Sequence, residues 1–310
     1  MPLLIAFAGQ GAQHRKMFDV LGGDTFGKTW LKEASDIIHI DLLDESAVEK
    51  ACADVILVQC LIVILSVGTF YALKKIINLY AASLCGYSLG EISAFSVSAN
   101  LNLTEICSLV KNRARFMQQA AIEFTQHQAS GLAALKGMIN DQQMQDLIHS
   151  HRCYLAIINA KDHYIIGGLS TDLDALILEA KTNGVIKAER LPINLPSHTL
   201  MLAKATDNFS NYLKILSSQA MQYPILNALT QEQIYSTQDM LPILAKELSE
   251  TLHWDKVMGI AAEYGVSLFL ELGPGAALKN MAVARFPSLK AYNLESFSSV
   301  DGLIRLLKKC

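Results

Sequence analysis

"LYAASLCGYSLGE", residues 79–91, joins an apolar run to a serine set between two glycines. Residues 79–86 read as a buried strand, and from Glu91 the chain reads helical. Gly86-Tyr87-Ser88-Leu89-Gly90 falls at the junction and matches G-x-S-x-G, a pattern suited to a sharp turn that lifts a serine hydroxyl off a strand end. The flanking small residues let the backbone turn tightly and approach a substrate closely. Glu91 lies in the first helical turn, where the helix dipole favours an anion. Alone, the pattern is a weak signal; its weight depends on what the rest of the chain supplies.

Upstream, residues 3–8 (LLIAFA) form a short apolar run consistent with a buried strand, followed by the loop GQGAQ at 9–13. Residues 55–73 carry no charge, close to the length of a membrane span. Gln59, Ser66, Gly68 and Thr69 interrupt them, the segment is solitary, and its flanks lack charge asymmetry, so a buried core helix within 55–77 is expected. Downstream, 104–121 reads as a helix capped by Asn102 or Thr104.

The middle of the chain is more regular. A strand at 131–138, a helix at 141–151, strands at 154–160 and 163–169, a helix at 170–184 ending in Gly184, and a strand at 185–193 follow in order. β-α-β-β-α-β is the ferredoxin-like order. A small subdomain inserted at 124–195 is therefore expected, inside a larger α/β catalytic subdomain made of 1–123 and 196–310. The late strand 266–273 of that larger unit turns at Gly273-Pro274-Gly275.

A chain of 310 residues buries about 75% of its unfolded surface, enough for one large domain or two unequal ones. Apolar residues make up 51% and charged residues 18%, which excludes a disordered chain. The 26 Lys and Arg against 29 Asp and Glu leave a net charge of −3, with no broad attraction to nucleic acid or anionic membrane. Cysteines at 52, 60, 85, 107, 153 and 310 form no C-x-x-C pair and no zinc spacing, and read as reduced thiols of a cytoplasmic protein. Cys310, as the last residue, is no prenylation box, and MPLLIAFAG lacks the basic start of a signal peptide.

Three features bear on Ser88. His198, in NLPSHTLM, is either a histidine packed at a loop end or the neutral imidazole that a serine nucleophile needs. GQGAQ is either an ordinary strand-end turn or a loop whose amide, with that of Leu89, receives an oxyanion; one such donor stabilises a transition state by about 3–4 kcal/mol. On the helix after the elbow, Ile106, Leu109, Val110, Arg113 and Met117 share one face, while Arg115 projects nearly opposite. An inward guanidinium must be paired, with a protein carboxylate or with a substrate carboxylate, unless its stem carries the charge out to water.

FAGQGAQ, GYSLGE, KNRARFMQQA, LPSHT and LELGPG, in this order, resemble malonyl-CoA:acyl-carrier-protein transacylases and related acyltransferase domains. The resemblance runs from residue 3 to about 310 and is far more specific than G-x-S-x-G alone. It implies an α/β-hydrolase-like large subdomain carrying the ferredoxin-like one. It also implies Ser88 as nucleophile, His198 as base, the backbone amides of Gln10 and Leu89 as oxyanion hole, and Arg113 as binder of the free malonyl carboxylate. Gln59 matches a substrate-side glutamine, and Glu247 stands where a glutamine backbone carbonyl orients the histidine.

Three positions depart from the family: Tyr87 in place of the usual histidine, Ala8 in place of proline in F-P-G-Q-G, and Glu247. Tyr87 and PSHT are similar to the malonyltransferase (epsilon) subunit of malonate decarboxylase. The implied function is ping-pong transfer of malonyl from malonyl-CoA or a malonyl carrier protein to a carrier thiol through a malonyl-serine, by a Ser-His dyad. The implied partners are an acyl carrier protein of fatty acid biosynthesis or a malonate decarboxylase carrier subunit. No bound cofactor and no metal are expected; His149-x-His151 is the nearest ligand-like pair. The alternatives are a serine thioesterase or carboxylesterase, and a non-catalytic subunit that docks a carrier. Lys74, Lys75 and Lys279 are candidates to face an acidic carrier, or plain solvated surface.

Overall fold

The apolar run near the N-terminus forms β1 (Leu3–Phe7), whose last four residues are buried. The structure, a computed structural model, describes residues 2–79, 82–182, 185–216 and 220–309. After β1 come α1 (Thr25–Ile38), α2 (Glu45–Cys52), α3 (Leu57–Lys74), β2 (Ala82–Gly86), α4 (Leu89–Ser98) and α5 (Leu103–Thr125). A second group follows: β3 (Ser130–Lys136), α6 (Asp141–Ser150), β4 (Tyr154–Ala160), β5 (His163–Leu169), α7 (Ser170–Thr182) and β6 (Lys187–Arg190). Then come α8 (Ala203–Leu213), β7 (Ala220–Leu226), β8 (Gln233–Ser236), α9 (Thr237–Lys246), β9 (Leu252–His253) and α10 (Trp254–Glu263). The chain closes with β10 (Leu268–Leu272), α11 (Ala277–Arg285), β11 (Lys290–Asn293) and α12 (Val300–Leu307).

The larger sheet has the order β11-β10-β1-β2-β7-β8 and is parallel except for β8, which runs antiparallel to β7. Its registers pair Phe7 with Leu272 on one side and with Gly86 on the other, so β1, β2 and β10 end level. The loops leaving these three ends are Gly9-Gln10, Tyr87-Ser88 and Gly273-Pro274. The crevice outside the carboxyl ends of parallel strands is where open α/β sheets bind ligands. The fold thus collects the sequence motifs at one edge.

α3 is the apolar segment that raised the membrane question. Its 18 residues are apolar enough to cross a bilayer, but 83% of them are buried inside the protein. The Trp30 indole of α1 donates to the Ile64 carbonyl at 2.9 Å, tying the two helices together. α5 begins at a capping box: the Asn102 side chain accepts from Glu105 N while the Glu105 carboxylate accepts from Asn102 N. That box starts the helix one residue before the expected start at Thr104.

The smaller sheet has the order β6-β3-β5-β4-β9. β3, β4, β5 and β6 pair antiparallel, and α6 and α7 cover one face through Met144, Leu147, Leu173 and Leu176 against Ala133, Leu135 and Ile166. Strand alternation turns Leu132, Ala134 and Lys136 to the opposite face, toward the larger sheet. One strand comes from elsewhere: Leu252–His253 adds parallel to β4, so the sheet extends beyond residues 124–195. Residues 80–81, Gly184 and Cys310 lie outside the described residues.

Candidate active site

Ser88 sits between β2 and α4 with φ 54° and ψ −110°, a conformation that costs a non-glycine residue about 1–3 kcal/mol and is held by its neighbours. The crowding leaves no alternative to glycine on either side. A Cβ on Gly90 would stand 1.9 Å from the Phe7 carbonyl oxygen, and one on Gly86 2.0 Å from Glu91 N. Leu89 is the first residue of α4, where a backbone N–H has no acceptor within its own helix. Gln10, on the loop after β1, lines the same cleft as Ser88 and Leu89.

His198 follows β6 and also has positive φ, 62°. Its Nε2 lies 2.7 Å from Ser88 Oγ. Its Nδ1 bonds the main-chain oxygen of Glu247, and its own N–H donates to the Leu248 carbonyl at 2.8 Å. A carbonyl can only accept, so Nδ1 carries the proton and Nε2 is left to accept from the serine. Burial, reinforced by the charge of Arg113 and opposed by the Glu247 carbonyl, lowers the imidazole pKa to about 3. The ring is therefore neutral at physiological pH. Among the described residues no carboxylate side chain serves as a third member; the peptide oxygen of Glu247 takes that position.

Arg113 points inward from α5 and is 3% exposed. Its Nη1 donates to Gln59 Oε1 at 2.7 Å. Among the described residues no carboxylate lies within ion-pair distance of it. Burial lowers its pKa to about 10, an effect that Glu247 opposes, so the guanidinium stays charged. Ser88, Gln10, Leu89, Gln59 and Arg113 all line one cleft of about 560 Å³ between the two sheets.

Two features were not visible in the sequence. Glu91 was expected to complement a helix dipole; it is instead 1% exposed, and burial, with Glu247 next to it, pushes its carboxyl well above the usual range. Asn227, at the end of β7, donates from Nδ2 to both Glu91 Oε1 (2.9 Å) and Glu247 Oε1 (2.6 Å). A polar residue closing an apolar parallel strand was the available signal. Tyr87 donates its hydroxyl to Asn159 Oδ1 at 3.0 Å and sets its ring edge-on to Trp254 at 5.3 Å, bridging the elbow to the smaller sheet.

The remaining expected residues lie apart. Lys74 bonds Gln222 and Lys75 stacks on Phe26, both at the end of α3, while Lys279 is on α11. His151 pairs with Glu179, and among the described residues no three His, Cys, Asp or Glu side chains are grouped for a metal.

A strained serine at a strand–helix elbow with a buried neutral histidine 2.7 Å from its hydroxyl is an arrangement suited to acyl transfer or hydrolysis on an α/β-hydrolase-like scaffold. Residues 5–305 match the model of the acyl transferase domain family, and the chain belongs to that family. It is similar to the malonyl CoA-acyl carrier protein transacylase of Buchnera aphidicola subsp. Schizaphis graminum, 24% identical over 280 residues that cover 89% of each chain. The crystal structure of malonyl-CoA:acyl carrier protein transacylase from Helicobacter pylori has the same fold, with TM-score 0.89, 23% identity and 99% of each chain covered. So does a complex of a type II polyketide synthase acyl-carrier protein with its malonyl-transacylase, with TM-score 0.89, 21% identity and 100% of each chain covered.

Proposed function

We propose that this acyltransferase moves a malonyl group from malonyl-CoA, or a malonyl carrier protein, to a carrier-protein thiol through a malonyl ester on Ser88. The observation that carries the reading is the buried Arg113, charged, bonded to Gln59, and lining the cleft of Ser88 with, among the described residues, no carboxylate in ion-pair distance. A charge kept in that state is costly unless a ligand completes it. In this reading the malonyl thioester carbonyl meets the serine and its free carboxylate is gripped by the guanidinium.

In the first half-reaction His198 Nε2 takes the Ser88 proton as Oγ attacks the thioester carbon. The amides of Gln10 and Leu89 receive the oxyanion, helped by the N-terminus of α4. The C–S bond then breaks and His198 returns the proton to the departing thiolate. In the second half a carrier thiol gives its proton to His198 and attacks the malonyl-serine; the ester C–Oγ bond breaks and His198 returns the proton to Ser88 Oγ. In the same cleft Lys136, His163 and Lys187 stand side by side on β3, β5 and β6, and the two lysines suit a phosphate on the incoming thiol arm. Burial and Lys136 hold the His163 imidazole pKa below its ordinary value, and Glu189 pairs with Lys187 at 2.6 Å. The carrier is an acyl carrier protein or a malonate decarboxylase carrier subunit, and loading assays with each carrier separate them.

The reading includes a cytoplasmic location, supported by the burial of α3 and by free thiols at Cys52, Cys60, Cys85, Cys107 and Cys153. It also divides the chain into 1–123 with 196–310 and an inserted 124–195. The test is Arg113→Ala assayed with malonyl-CoA and acetyl-CoA. Malonyl loading falls at least about a hundredfold, the cost of a lost charged hydrogen bond pair, while acetyl loading is retained or improved. Equal losses for both acyl groups contradict the carboxylate role.

A further inference from the structure

Glu91 and Glu247 come from different helical segments yet meet over one nitrogen. Asn227 Nδ2 donates to an oxygen of each, and Glu91 Oε2 has no hydrogen-bond partner. Both residues are buried, with exposures of 1% and 4%. Two carboxylates around a single amide cannot both remain ionised in such a place, so the pair holds at least one proton. Glu247 also reaches both halves of the catalytic apparatus. Its main-chain oxygen holds His198, and its side chain lies close enough to Arg113 to act on its charge without forming an ion pair.

We infer that Glu247 is a positioning residue for substrate selection: kept protonated by its burial beside Glu91 and Asn227, it leaves the Arg113 charge free for the substrate carboxylate. When that proton is lost, a carboxylate appears beside Arg113 and competes with the substrate. The role rests on the proposed malonyl reading of Arg113.

The groups facing this pair are few. Arg113 comes from α5, His198 from the loop after β6, and the Cys85 thiol from β2 beside Glu91. α9 also packs against α4, which carries Glu91, and against α8 and β8, whose Lys204, Asp207 and Tyr235 are exposed and whose half-buried Tyr212 bonds Ser108. Of the facing groups only Arg113 carries charge at neutral pH. Burial pushes the Glu247 carboxyl up to about 8, with Asn227 and Arg113 pulling the other way, and burial and Glu247 raise the Glu91 carboxyl well above its ordinary value. Glu247 is thus neutral below that pH and ionised above it, whereas Arg113 loses its proton only near 10. The window from pH 7 to 9 isolates Glu247.

The experiment is single-turnover loading of the full chain with malonyl-CoA and acetyl-CoA across that window, for wild type, Glu247→Gln, Glu247→Asp and Glu91→Gln. In wild type the half-saturating malonyl-CoA concentration rises about three- to tenfold toward pH 9, one unit above the midpoint, with the maximal rate changing less. Acetyl-CoA shows no such rise. Glu247→Gln abolishes the rise; Glu247→Asp and Glu91→Gln keep it, because a carboxyl remains at 247. A rise that persists in Glu247→Gln, or that disappears in Glu91→Gln alone, overturns the role. So does a wild type that selects malonyl at pH 7 yet has a flat profile to pH 9. A wild type that does not select malonyl at pH 7 contradicts the Arg113 reading itself, and the inference falls with it.

Discussion

Ser88 and His198 both hold positive φ angles, the first between the crowded Gly86 and Gly90 and the second with its main-chain N–H on the Leu248 carbonyl. The histidine is already a base. Its pKa near 3, set by burial and by Arg113, lies below the ordinary value of a free imidazole, so the ring is neutral from about pH 4 upward. The sign follows for stability as well. A folded-state pKa depressed below the unfolded one means that the folded form binds fewer protons between the two values, so stability gained from the neutral ring is lost as pH falls from about 6.5 toward 3. For activity the prediction is a malonyl-loading rate without an acid limb near 6.5. Rapid-quench loading between pH 5 and 7 tests it, and a tenfold fall centred near 6.5 would show that the imidazole titrates as if exposed. Serine, histidine and arginine were legible in the sequence because each stood in a local pattern. Asn227 was not, because its two partners are 136 and 20 residues away and only the fold brings them together.

At the scale of elements, α5 matters most, since it carries Arg113 to the cleft. Its first turn depends on Asn102, whose side chain accepts from Glu105 N at 3.0 Å. Asn102→Ala is expected to lower unfolding free energy by about 1 kcal/mol. Because the cap lies on the surface and three turns from Arg113, the half-saturating malonyl-CoA concentration stays the same. Urea denaturation with loading assays checks both; unchanged stability, or a changed substrate affinity, contradicts the account of the helix. The expected elements from 131 to 193 appear in the expected order, because alternation, caps and a two-residue turn all agree there. α1 and α2 carry the same kind of cap signal, with Asp24 accepting from Gly27 N and Asp44 from Ser46 N. β9 has no such signal. Two residues, Leu252–His253, are too few for any period to show, and their pairing with Ile157 and Ile158 is a tertiary event.

At the scale of the molecule, the site lies where two sheets face each other. The larger sheet supplies the serine, the amides and the crevice at its strand ends; the smaller supplies the opposite wall through Leu132, Ile157 and Ile165. Tyr87 fastens the two together through Asn159, and burial pushes its phenol pKa up, so it remains a donor throughout the working range. The central claim is that this cleft holds a malonyl group covalently on Ser88 with its free carboxylate on Arg113. The most direct measurement is intact mass and peptide mapping of the chain after brief exposure to malonyl-CoA. The account predicts one malonyl group per chain, mapped to Ser88 and absent from Ser88→Ala. No adduct, or an adduct on one of the cysteines, would contradict it.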